Sequence, residues 1–436
     1  MDSQKSVSIE LQNLQVDTLG TPQIASPLRN KNYYVENNAR IVIDPDFSQV
    51  DKSKTFEIAG PRSEVFFDGA QITCGIVTCG GLCPGINNVI RTIVMTLREQ
   101  YKVPKILGFR YGYQGLSNAP LAEPMELTPQ KVENIHNHGG TILGSSRGKQ
   151  DINEMIDVLI QKNVSILFVI GGDGTLNGAH EMVKEIKKRN LMISIIGIPK
   201  TIDNDIVGTS QTFGFSSAVN IAEKVISCAH YEALSAWNGI GLVKLMGRDS
   251  GFVAAHATLA NNDVNYCFVP EDSLTLEGET GLLNVLEHRL EKKRHAVIVV
   301  AEGAGQNLFH TSATQRDASG NVLHKDIGVF LKDKINAHFS HKNIPITLKY
   351  IDPSYTIRSV KANSEDSTFC LMLGQNAVHA GMSGRTGIFI GYWNQTFTHV
   401  PFKVVINKRK KIDTKSALWK IFQETIGYNG RDNIVE

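Results

Sequence analysis

Three aspartates stand in two short loops, and each loop follows an apolar run of the sequence. The loops are Gly171-Gly-Asp-Gly-Thr175 and Pro199-Lys-Thr-Ile-Asp-Asn-Asp205. If both apolar runs are buried strands of one parallel sheet, Asp173, Asp203 and Asp205 meet in a crevice beyond the carboxyl ends of the strands, where such sheets bind ligands. Carboxylates, a lysine and several glycines in one crevice predict a phosphoryl-transfer site.

The first loop has the composition of a phosphate cradle. Gly171, Gly172 and Gly174 let the backbone approach a polyphosphate closely, and Thr175 completes the motif. Asp173 can hold Mg²⁺, which usually takes one or two carboxylates together with phosphate oxygens. The competing interpretation is a glycine-rich turn with a solvated aspartate.

The second loop supplies groups that the first one lacks. A hydroxyl that attacks phosphorus needs a base to accept its proton, and Asp203 would gain basicity from the like charges of Asp205 and Asp173. Lys200 and Thr201 can hold the moving phosphoryl group. The alternative is that the aspartates cap the next helix, but two acidic strand-end loops so close in sequence disfavour capping alone.

A third loop, Cys79–Gly85, lies between a predicted strand and an amphipathic helix. Its backbone N–H groups would form an anion site at the positive end of the helix. The loop lacks the full Walker pattern, so a tight structural turn is an equal alternative. Its candidate donor-binding residues are Gly80 and Gly81.

Basic residues recur at other predicted strand and helix ends and together indicate a substrate that carries its own phosphate. They are Arg147, Arg248, Lys349 and Arg358, the last two flanking Tyr355. For any one of them alone, a surface salt bridge is the simpler interpretation. Glu302, after an apolar strand, could accept sugar hydroxyls. The basic run Lys408–Lys411 is predicted to be a solvated surface, with contact to an anionic effector as the alternative.

Alternating strand and helix patterns surround these loops. From Gln71 onward, buried-strand runs alternate with amphipathic helices, and the alternation resumes after about Ser217 with its own strand-end loops. This pattern predicts an α/β fold with two doubly wound, three-layer domains. Residues 1–68 lack sustained periodicity. They are predicted to form an arm that packs on the body or on a neighbouring subunit, with disorder of the first residues as the alternative.

Composition excludes several classes of protein. The chain has 436 residues, 42% of them hydrophobic and 20% charged, and a formal net charge of +2. Acids and bases are interspersed and no apolar stretch approaches about 20 residues, so we expect neither a nucleic-acid nor a membrane partner. The six cysteines form no zinc-type cluster. Without a signal-peptide pattern at its start, the chain is predicted to be cytoplasmic.

Several motifs, in order, closely resemble the phosphofructokinase family between about Gln71 and Gly387. They are Gly80-Gly-x-x-Pro-Gly85, Gly112-Tyr-x-Gly-Leu116, Gly171-Gly-Asp-Gly-Thr175, Pro199-Lys-Thr-Ile-Asp-Asn-Asp205, Met246-Gly-Arg248 and Glu302-Gly303. The resemblance implies Mg²⁺-dependent phosphoryl transfer to the 1-hydroxyl of fructose 6-phosphate. NAD kinases and lipid kinases share Gly-Gly-Asp-Gly-Thr but lack the Pro-Lys-Thr-Ile-Asp-Asn-Asp loop.

The resemblance also implies roles for individual residues. Asp203 resembles the general base, Asp205 its charge and positioning partner, Asp173 the Mg²⁺ ligand, and Arg248 and Arg147 the stabilisers of the transferring phosphate. Residues that match the donor side are Gly80, Gly81, Gly171, Gly172, Gly174 and Thr175. Residues that match the catalytic and sugar-phosphate side are Lys200, Thr201, Met246, Gly247, Glu302, Lys349, Tyr355 and Arg358.

The phosphoryl donor is ATP or pyrophosphate in this family. Pyrophosphate users resemble this chain at Lys200, but they typically carry a second aspartate where this chain has Gly174. An aspartate there would fill the space of the nucleotide α-phosphate. Gly174 together with Lys200 resembles the ATP-dependent enzymes of trypanosomatids and plants, so ATP is the predicted donor and pyrophosphate the alternative.

The resemblance further implies a domain division and an oligomer. The predicted domains are an arm (1–68), a nucleotide- and Mg²⁺-binding domain (69–213 plus about 359–436) and a fructose 6-phosphate-binding domain (214–358), with the active site between the last two. A homotetramer is expected by family analogy. Leu82 and Gly239 stand near positions where bacterial members have Asp and Arg, so the bacterial effector site is not transferred. A non-catalytic regulatory paralogue is the remoter alternative.

Overall fold

The computed structural model describes residues 14–28, 33–44, 54–309, 323–406 and 408–426. The chain groups into two compact units. The first consists of Met1–Thr201, Ile206–Gly214 and Ser359–Arg409, and the second of Ile202–Asp205, Phe215–Arg358 and Lys410–Glu436. The predicted disorder of the first residues falls on 1–13, which lie outside the described residues.

The first unit combines a large sheet with flanking helices. Its strands are β1 (Asp17–Thr18), β2 (Ile24–Ala25), β3 (Arg40–Val42), β4 (Thr55–Ile58), β5 (Glu64–Val65), β6 (Thr73–Thr78), β7 (Lys105–Phe109), β8 (Met125–Glu126), β9 (Val164–Gly171), β10 (Ser194–Pro199), β15 (Arg385–Thr386), β16 (Ile388–Trp393) and β17 (Thr396–Pro401). Its helices are α1 (Ile86–Glu99), α2 (Pro129–Val132), α3 (Ile152–Gln161), α4 (Asp173–Lys188) and α10 (Ser364–Met382).

Nine of these strands form one sheet in the order β3-β4-β17-β16-β10-β9-β6-β7-β8. The neighbours from β16 to β7 pair in parallel, and the outer strands pair antiparallel. Central parallel strands are buried on both faces, which explains why their sequences are nearly all apolar. Thr78 pairs with Ile170, and Gly171 pairs with Pro199, so the loops after β6, β9 and β10 leave the same edge of the sheet.

The helix that follows β6 begins where only glycine fits. Gly85, the N-cap of α1, has a left-handed φ of 100°, and a Cβ there would lie 2.7 Å from the Cys370 sulfur. The predicted apolar face of α1, from Ile86 to Leu97, is buried. Helix α1 therefore packs as its periodicity predicted, and it fixes the end of the Cys79–Gly85 loop.

A buried charge cluster ties the edge strands together. Glu57 on β4 is 5% exposed and accepts hydrogen bonds from Arg385 Nε at 2.7 Å, Arg62 at 3.1 Å and His399 Nδ1 at 3.0 Å. Burial alone would raise the pKa of the Glu57 carboxyl, but His399 and Arg385 hold it well below its usual range. Burial lowers the pKa of His399 to about 4, so His399 is neutral near pH 7 and Glu57 supplies the negative charge beside the two arginines.

We expect Glu57→Gln to lower the free energy of unfolding by about 3–5 kcal/mol, because two buried guanidinium groups lose their counter-charge. Urea denaturation at pH 7 measures this loss. The matched control is Glu181→Gln, an exposed partner of Lys184, for which about 0–1 kcal/mol is expected. Since the folded pKa of Glu57 is depressed, its contribution is complete above the ordinary carboxyl range and declines as the pH falls. Equal losses in both variants at pH 7 would refute the assignment.

The second unit has a smaller, entirely parallel sheet. Its strands are β11 (Gly239–Leu245), β12 (Tyr266–Phe268), β13 (His295–Ala301) and β14 (Thr347–Ile351), in the order β12-β13-β11-β14. Its helices are α5 (Phe215–Leu234), α6 (Phe252–Asn261), α7 (Leu282–Lys293), α8 (Ile327–His341), α9 (Ser354–Ser359) and α11 (Ala417–Thr425). Leu245 pairs with Ala301, so the loops that begin at Met246 and Glu302 leave the sheet side by side.

The α/β fold class is confirmed, and several elements differ from their predictions. Thr128 as N-cap and Pro129 at the first helical position predict a helix that stops at Gly139, but the helix ends at Val132 and a separate 3₁₀ turn, Ile135–Asn137, follows it. The apolar run that ends at Ile351 predicts a strand-end loop from Asp352 to Ser359, and this segment contains α9. The run Arg40-Ile-Val-Ile-Asp44 predicts one short strand, which is present as β3, whereas the sequence patterns did not predict β4, β17 and α8.

The two compact units also differ from the predicted domain boundaries. Residues from Lys410 onward group with the second unit, because α11 buries Trp419 and Phe422 and packs against α6. Ile202–Asp205 also group with the second unit rather than the first. Across the part of the chain that the structure describes, no helix is long and apolar enough to cross a bilayer.

Candidate active site

The loop after β6 lies against the loop that carries Arg147. The Gly80 N–H donates to the Ser146 carbonyl oxygen at 3.0 Å, and the Ser145 hydroxyl donates to the Gly80 carbonyl oxygen at 2.6 Å. Gly80 has a left-handed φ of 85°, a conformation that glycine adopts without strain. Arg147 is exposed. The structure thus brings two predicted donor-side segments together in the first unit.

The Gly171–Thr175 loop joins β9 to α4. Gly172 is the N-cap and Asp173 the first residue of the helix. A Cβ on Gly171 would lie 2.3 Å from the Thr175 hydroxyl oxygen, so a larger residue would force the turn apart. The Thr175 N–H donates to the Gly172 carbonyl oxygen at 2.9 Å. The loop therefore begins a helix whose positive end favours anions.

Asp173 could be the protein ligand of a Mg²⁺ ion that takes its other ligands from phosphate oxygens and water. Its Oδ2 accepts a hydrogen bond from Arg409 Nε at 2.9 Å, so the carboxylate already neutralises a cation in this structure. Among the described residues, no group of three or more His, Cys, Asp or Glu side chains could hold a metal. A single carboxylate completed by phosphate oxygens and water is an arrangement that Mg²⁺ accepts.

Lys200 links the loop after β10 to the other two donor-side loops. Its N–H donates to the Gly171 carbonyl oxygen at 3.0 Å, and its Nζ donates to the Gly81 carbonyl oxygen at 2.8 Å. The residue is only 5% exposed. By contrast, a Cβ placed on Gly174 meets nothing within 4 Å. The donor side therefore has a fixed ammonium group and open space beside Asp173.

The Asp203–Asp205 loop belongs to the second unit. Asn204 has a left-handed φ of 52°, which asparagine tolerates better than most residues. The Ser250 hydroxyl donates to the Asp203 carbonyl oxygen at 3.2 Å, and the Lys410 N–H donates to the Asp205 carbonyl oxygen at 2.7 Å. The loop is thus held by residues from two other parts of the chain, one of which is more than two hundred residues away in sequence.

The loops that begin at Met246 and Glu302 contact each other at the end of the smaller sheet. The Gly303 N–H donates to the Gly247 carbonyl oxygen at 3.1 Å, and a Cβ on Gly303 would lie 1.9 Å from the Arg248 carbonyl oxygen. Burial raises the pKa of the Glu302 carboxyl, an effect that the charge of Arg248 opposes. Glu302 and Arg248 therefore lie close enough to interact electrostatically.

The remaining acceptor-side candidates, Arg358, Tyr355 and Lys349, differ in their contacts and in their exposure. Arg358 lies over the Tyr355 ring, 4.9 Å from its centroid, and its charge, like that of Arg248, opposes the burial that raises the pKa of Glu302. Tyr355 itself is 75% exposed. Lys349 is exposed in the middle of β14 and pairs with Gly241. The strand predicted from Ile346 to Ile351 is β14, so Lys349 lies two residues before its end, and its role at the sugar phosphate stays a prediction.

The sequence analysis wrongly predicted that two residues near the candidate site, Arg409 and Lys410, are solvated. The run Lys408–Lys411 was predicted to be a solvated surface, whereas Arg409 pairs with Asp173 and Lys410 contacts the Asp203–Asp205 loop. Only long-range contacts reveal these roles, because a short basic run has no local signal for burial. A third candidate, Lys244, donates to Asp326 and Asp352 at 2.8 Å each, and only its position on an apolar strand could have indicated it.

The sequence is similar to curated enzymes over nearly its whole length. It is 45% identical to an ATP-dependent 6-phosphofructokinase of Borreliella burgdorferi, with 94% of this chain and 95% of the relative covered. It is 42% identical to the ATP-dependent 6-phosphofructokinase of Trypanosoma brucei brucei, covering 96% of this chain and 88% of the relative. For ATP-dependent 6-phosphofructokinase 1 of Arabidopsis thaliana the identity is 44%, covering 89% of this chain and 82% of the relative.

Solved structures and a family model give a concordant result. A pyrophosphate-dependent phosphofructokinase from Marinobacter aquaeolei superposes with a TM-score of 0.67 at 18% identity, covering 81% of this chain and 91% of that chain. A phosphofructokinase from Saccharomyces cerevisiae superposes with a TM-score of 0.63 at 21% identity, covering 84% and 51% respectively. These likenesses show the fold alone. The family model described as Phosphofructokinase matches residues 73–381, and the chain belongs to the phosphofructokinase family.

Proposed function

We propose that the chain transfers the γ-phosphoryl group of ATP to the 1-hydroxyl of fructose 6-phosphate, in a Mg²⁺-dependent reaction that yields fructose 1,6-bisphosphate and ADP. The observation that carries this proposal is the pairing of β9 with β10, which sets the Gly171–Thr175 loop beside Lys200. The full-length relatives named ATP-dependent 6-phosphofructokinase support the same reaction.

The donor would be held by residues of the first unit. Backbone N–H groups at the start of α4 and in the Gly80–Gly81 turn would bind phosphate oxygens. Asp173 would hold Mg²⁺, which when bound offsets negative charge on the transferring phosphate. Lys200 and Arg147 would contribute positive charge to the same group. Thr201 follows Lys200 directly, and its carbonyl oxygen accepts from the Thr212 hydroxyl at 2.7 Å.

The proton would leave through the Asp203 carboxylate. The O1 oxygen of the sugar bonds to the γ-phosphorus, the bond from that phosphorus to the β,γ-bridging oxygen breaks, and the proton of the 1-hydroxyl passes to Asp203. Asp205, 8% exposed, adds a nearby negative charge that favours proton uptake. Arg248 would stabilise the transferring group from the acceptor side.

The sugar phosphate would be bound by the strand-end loops of the second unit. Arg358 suits the 6-phosphate because a guanidinium can contact two phosphate oxygens at once. Glu302, half-buried beside Arg248, would accept hydrogen bonds from sugar hydroxyls, and Met246 and Gly247 would line the same loop. Tyr355 is exposed beside Arg358. Lys349, exposed on β14, stays a candidate for the same phosphate.

Pyrophosphate is the alternative donor. Lys200 is shared with pyrophosphate users, and the open space at Gly174 is the feature that favours ATP, since it leaves room for an α-phosphate. The pyrophosphate-dependent structural neighbours are too distant in sequence to bear on the donor. The presence of Asp173, Asp203 and Arg248 disfavours a regulatory paralogue without activity.

Product analysis tests the proposed reaction. Phosphorus NMR of a mixture of the enzyme, ATP, MgCl₂ and fructose 6-phosphate is expected to show a second sugar phosphate at C1, and an excess of EDTA is expected to stop its formation. A phosphate at any other carbon would disprove the acceptor assignment. Glucose 6-phosphate, tested in parallel, is expected to give no product.

The assembly and the location of the enzyme are further parts of the proposal. A homotetramer in the cytoplasm follows from family analogy and from the composition of the chain. Light scattering of the purified enzyme is expected to give four times the chain mass of 48.0 kDa. A monomeric mass would contradict the oligomer. Nucleic-acid and membrane partners are not proposed.

A further inference from the structure

A short segment near the C-terminus, Lys410–Ile412, contacts two loops of the proposed acceptor side. We call it the C-terminal strap. The Lys410 N–H donates to the Asp205 carbonyl oxygen at 2.7 Å. The Ile412 N–H donates to Glu271 Oε1 at 2.9 Å. The strap therefore binds the Asp203–Asp205 loop at one end and Glu271 at the other.

Glu271 connects the strap to the loop that carries Arg248. Its carboxylate accepts hydrogen bonds from the Gly251 N–H at 3.0 and 3.1 Å as well as from Ile412. Gly251 is the N-cap of α6 and closes the loop that begins at Met246. One carboxylate thus holds both the strap and the Arg248 loop, so the position of the strap is fixed by more than one contact.

The Lys410 ammonium group reaches the middle of the proposed catalytic loop. Its Nζ donates to Asn204 Oδ1 at 3.2 Å and lies 5.3 Å from the centroid of the Phe252 ring. Burial lowers the pKa of Lys410 to about 8, against the opposing charge of Asp205. Lys410 is half-buried, and a charge-assisted hydrogen bond there is stronger than at the surface.

Asn204 is the residue of this loop that most needs support. It stands between the proposed base and its partner, and its backbone is left-handed, a conformation that persists when the surroundings hold it. The bond from Lys410 Nζ to the Asn204 side chain and the bond from Lys410 N–H to the Asp205 carbonyl oxygen hold the middle and the end of the turn, and the Ser250 hydroxyl holds its start. The direction of the Asp203 side chain depends on this turn.

We propose that Lys410 is a positioning residue, which holds the Asn204 turn so that Asp203 is oriented to accept the proton of the sugar hydroxyl. This inference rests on the proposed function and adds a residue that the motifs do not contain. Lys410 acts on the proposed base through Asn204 and Asp205.

The test compares Lys410→Met with the wild-type enzyme under saturating ATP, Mg²⁺ and fructose 6-phosphate. We expect kcat to fall by about 10–100-fold and the KM of each substrate to change by less than about threefold, because orientation rather than binding is lost. The matched control is Lys415→Met, an exposed lysine close by, which should retain wild-type kcat. A kcat within twofold of wild type for Lys410→Met overturns the proposal.

Amine rescue separates positioning from a merely structural role. In Lys410→Ala, n-propylammonium replaces the missing part of the side chain, and saturable recovery of kcat by at least fivefold is expected. Tetramethylammonium at the same ionic strength should restore nothing. A correctly folded Lys410→Ala enzyme with low kcat and no amine response overturns the proposal.

If the alanine variant does not fold, Lys410→Gln replaces it, and its shorter amide donor should give a kcat between those of Lys410→Met and wild type. A kcat no higher than that of Lys410→Met overturns the proposal.

The same experiments distinguish this inference from the proposed function. If wild-type enzyme makes no fructose 1,6-bisphosphate, the proposed function fails and the positioning role fails with it. If wild type is active and Lys410→Met is equally active, only the positioning role fails.

Discussion

Asp203→Asn lowers kcat by about 10²–10⁴-fold, the range expected when a general base is lost, while the KM values for ATP and fructose 6-phosphate stay within about threefold. The amide has the shape of the carboxylate but cannot take up a proton, so binding is preserved and proton transfer is not. Steady-state kinetics at pH 7.5 measure both constants. The loop backbone should remain in place, because its hydrogen bonds from Ser250 and Lys410 go to carbonyl oxygens of the loop.

The control for this prediction is Asp333→Asn, which makes the same chemical change on the exposed face of α8. It is expected to retain full kcat and an unchanged melting temperature. If Asp203→Asn turned over at more than half the wild-type rate, Asp203 could not be the base.

Gly174→Asp is the second substitution with a large expected effect, a fall of about 10³-fold in kcat/KM for ATP. A carboxylate about 4 Å from a phosphate group costs about 4 kcal/mol at an effective dielectric constant near 20, which corresponds to about three powers of ten. The variant should fold normally, because a Cβ at this position meets nothing within 4 Å. A negative charge in the first turn of α4 is also favourable for the helix.

Two further substitutions at the same position separate charge from volume. Gly174→Asn has the same shape as Gly174→Asp without the charge and is expected to lose much less ATP activity. Gly174→Ala adds only the Cβ and should stay close to wild type. Retention of wild-type kcat/KM for ATP in Gly174→Asp, with a wild-type melting temperature, would show that this position does not control the donor.

The strand-end loops were predictable from the sequence because local signals define them. Apolar runs such as Val164–Gly171 can only be buried strands or helices, and the glycines that follow mark their ends. Parallel pairing then places successive strand ends at one edge. The register of Gly171 with Pro199 in the structure agrees with that inference. The α/β class and the order of most elements follow from the same reasoning.

The elements that sequence reasoning missed depend on distant partners. Strand β4 is short and mixed in composition, and it is stabilised by pairing with β17 and by the Glu57 cluster. Neither interaction is visible in the local pattern. Helix α2 begins as predicted, with the Thr128 hydroxyl capping the Lys131 N–H, but its periodicity does not indicate that it ends after one turn.

The residues of the candidate site that sequence reasoning missed also depend on contacts that are distant in sequence. Local chemistry singled out Asp173 and Asp203, since acidic and glycine-rich loops after two buried parallel strands predict a phosphoryl-transfer site. Arg409 and Lys410 lie in a basic run whose composition is typical of a solvated surface, and only the folded chain brings them to Asp173 and Asn204.

The most direct test of ATP as the phosphoryl donor is a comparison of ATP with pyrophosphate in the wild-type enzyme. The initial rate of fructose 1,6-bisphosphate formation is measured with fructose 6-phosphate and Mg²⁺, with either ATP or pyrophosphate as the sole donor. We expect turnover with ATP and at least a hundredfold lower kcat/KM with pyrophosphate. Equal or faster turnover with pyrophosphate would contradict the account, because the open space at Gly174 would then have no bearing on the choice of donor.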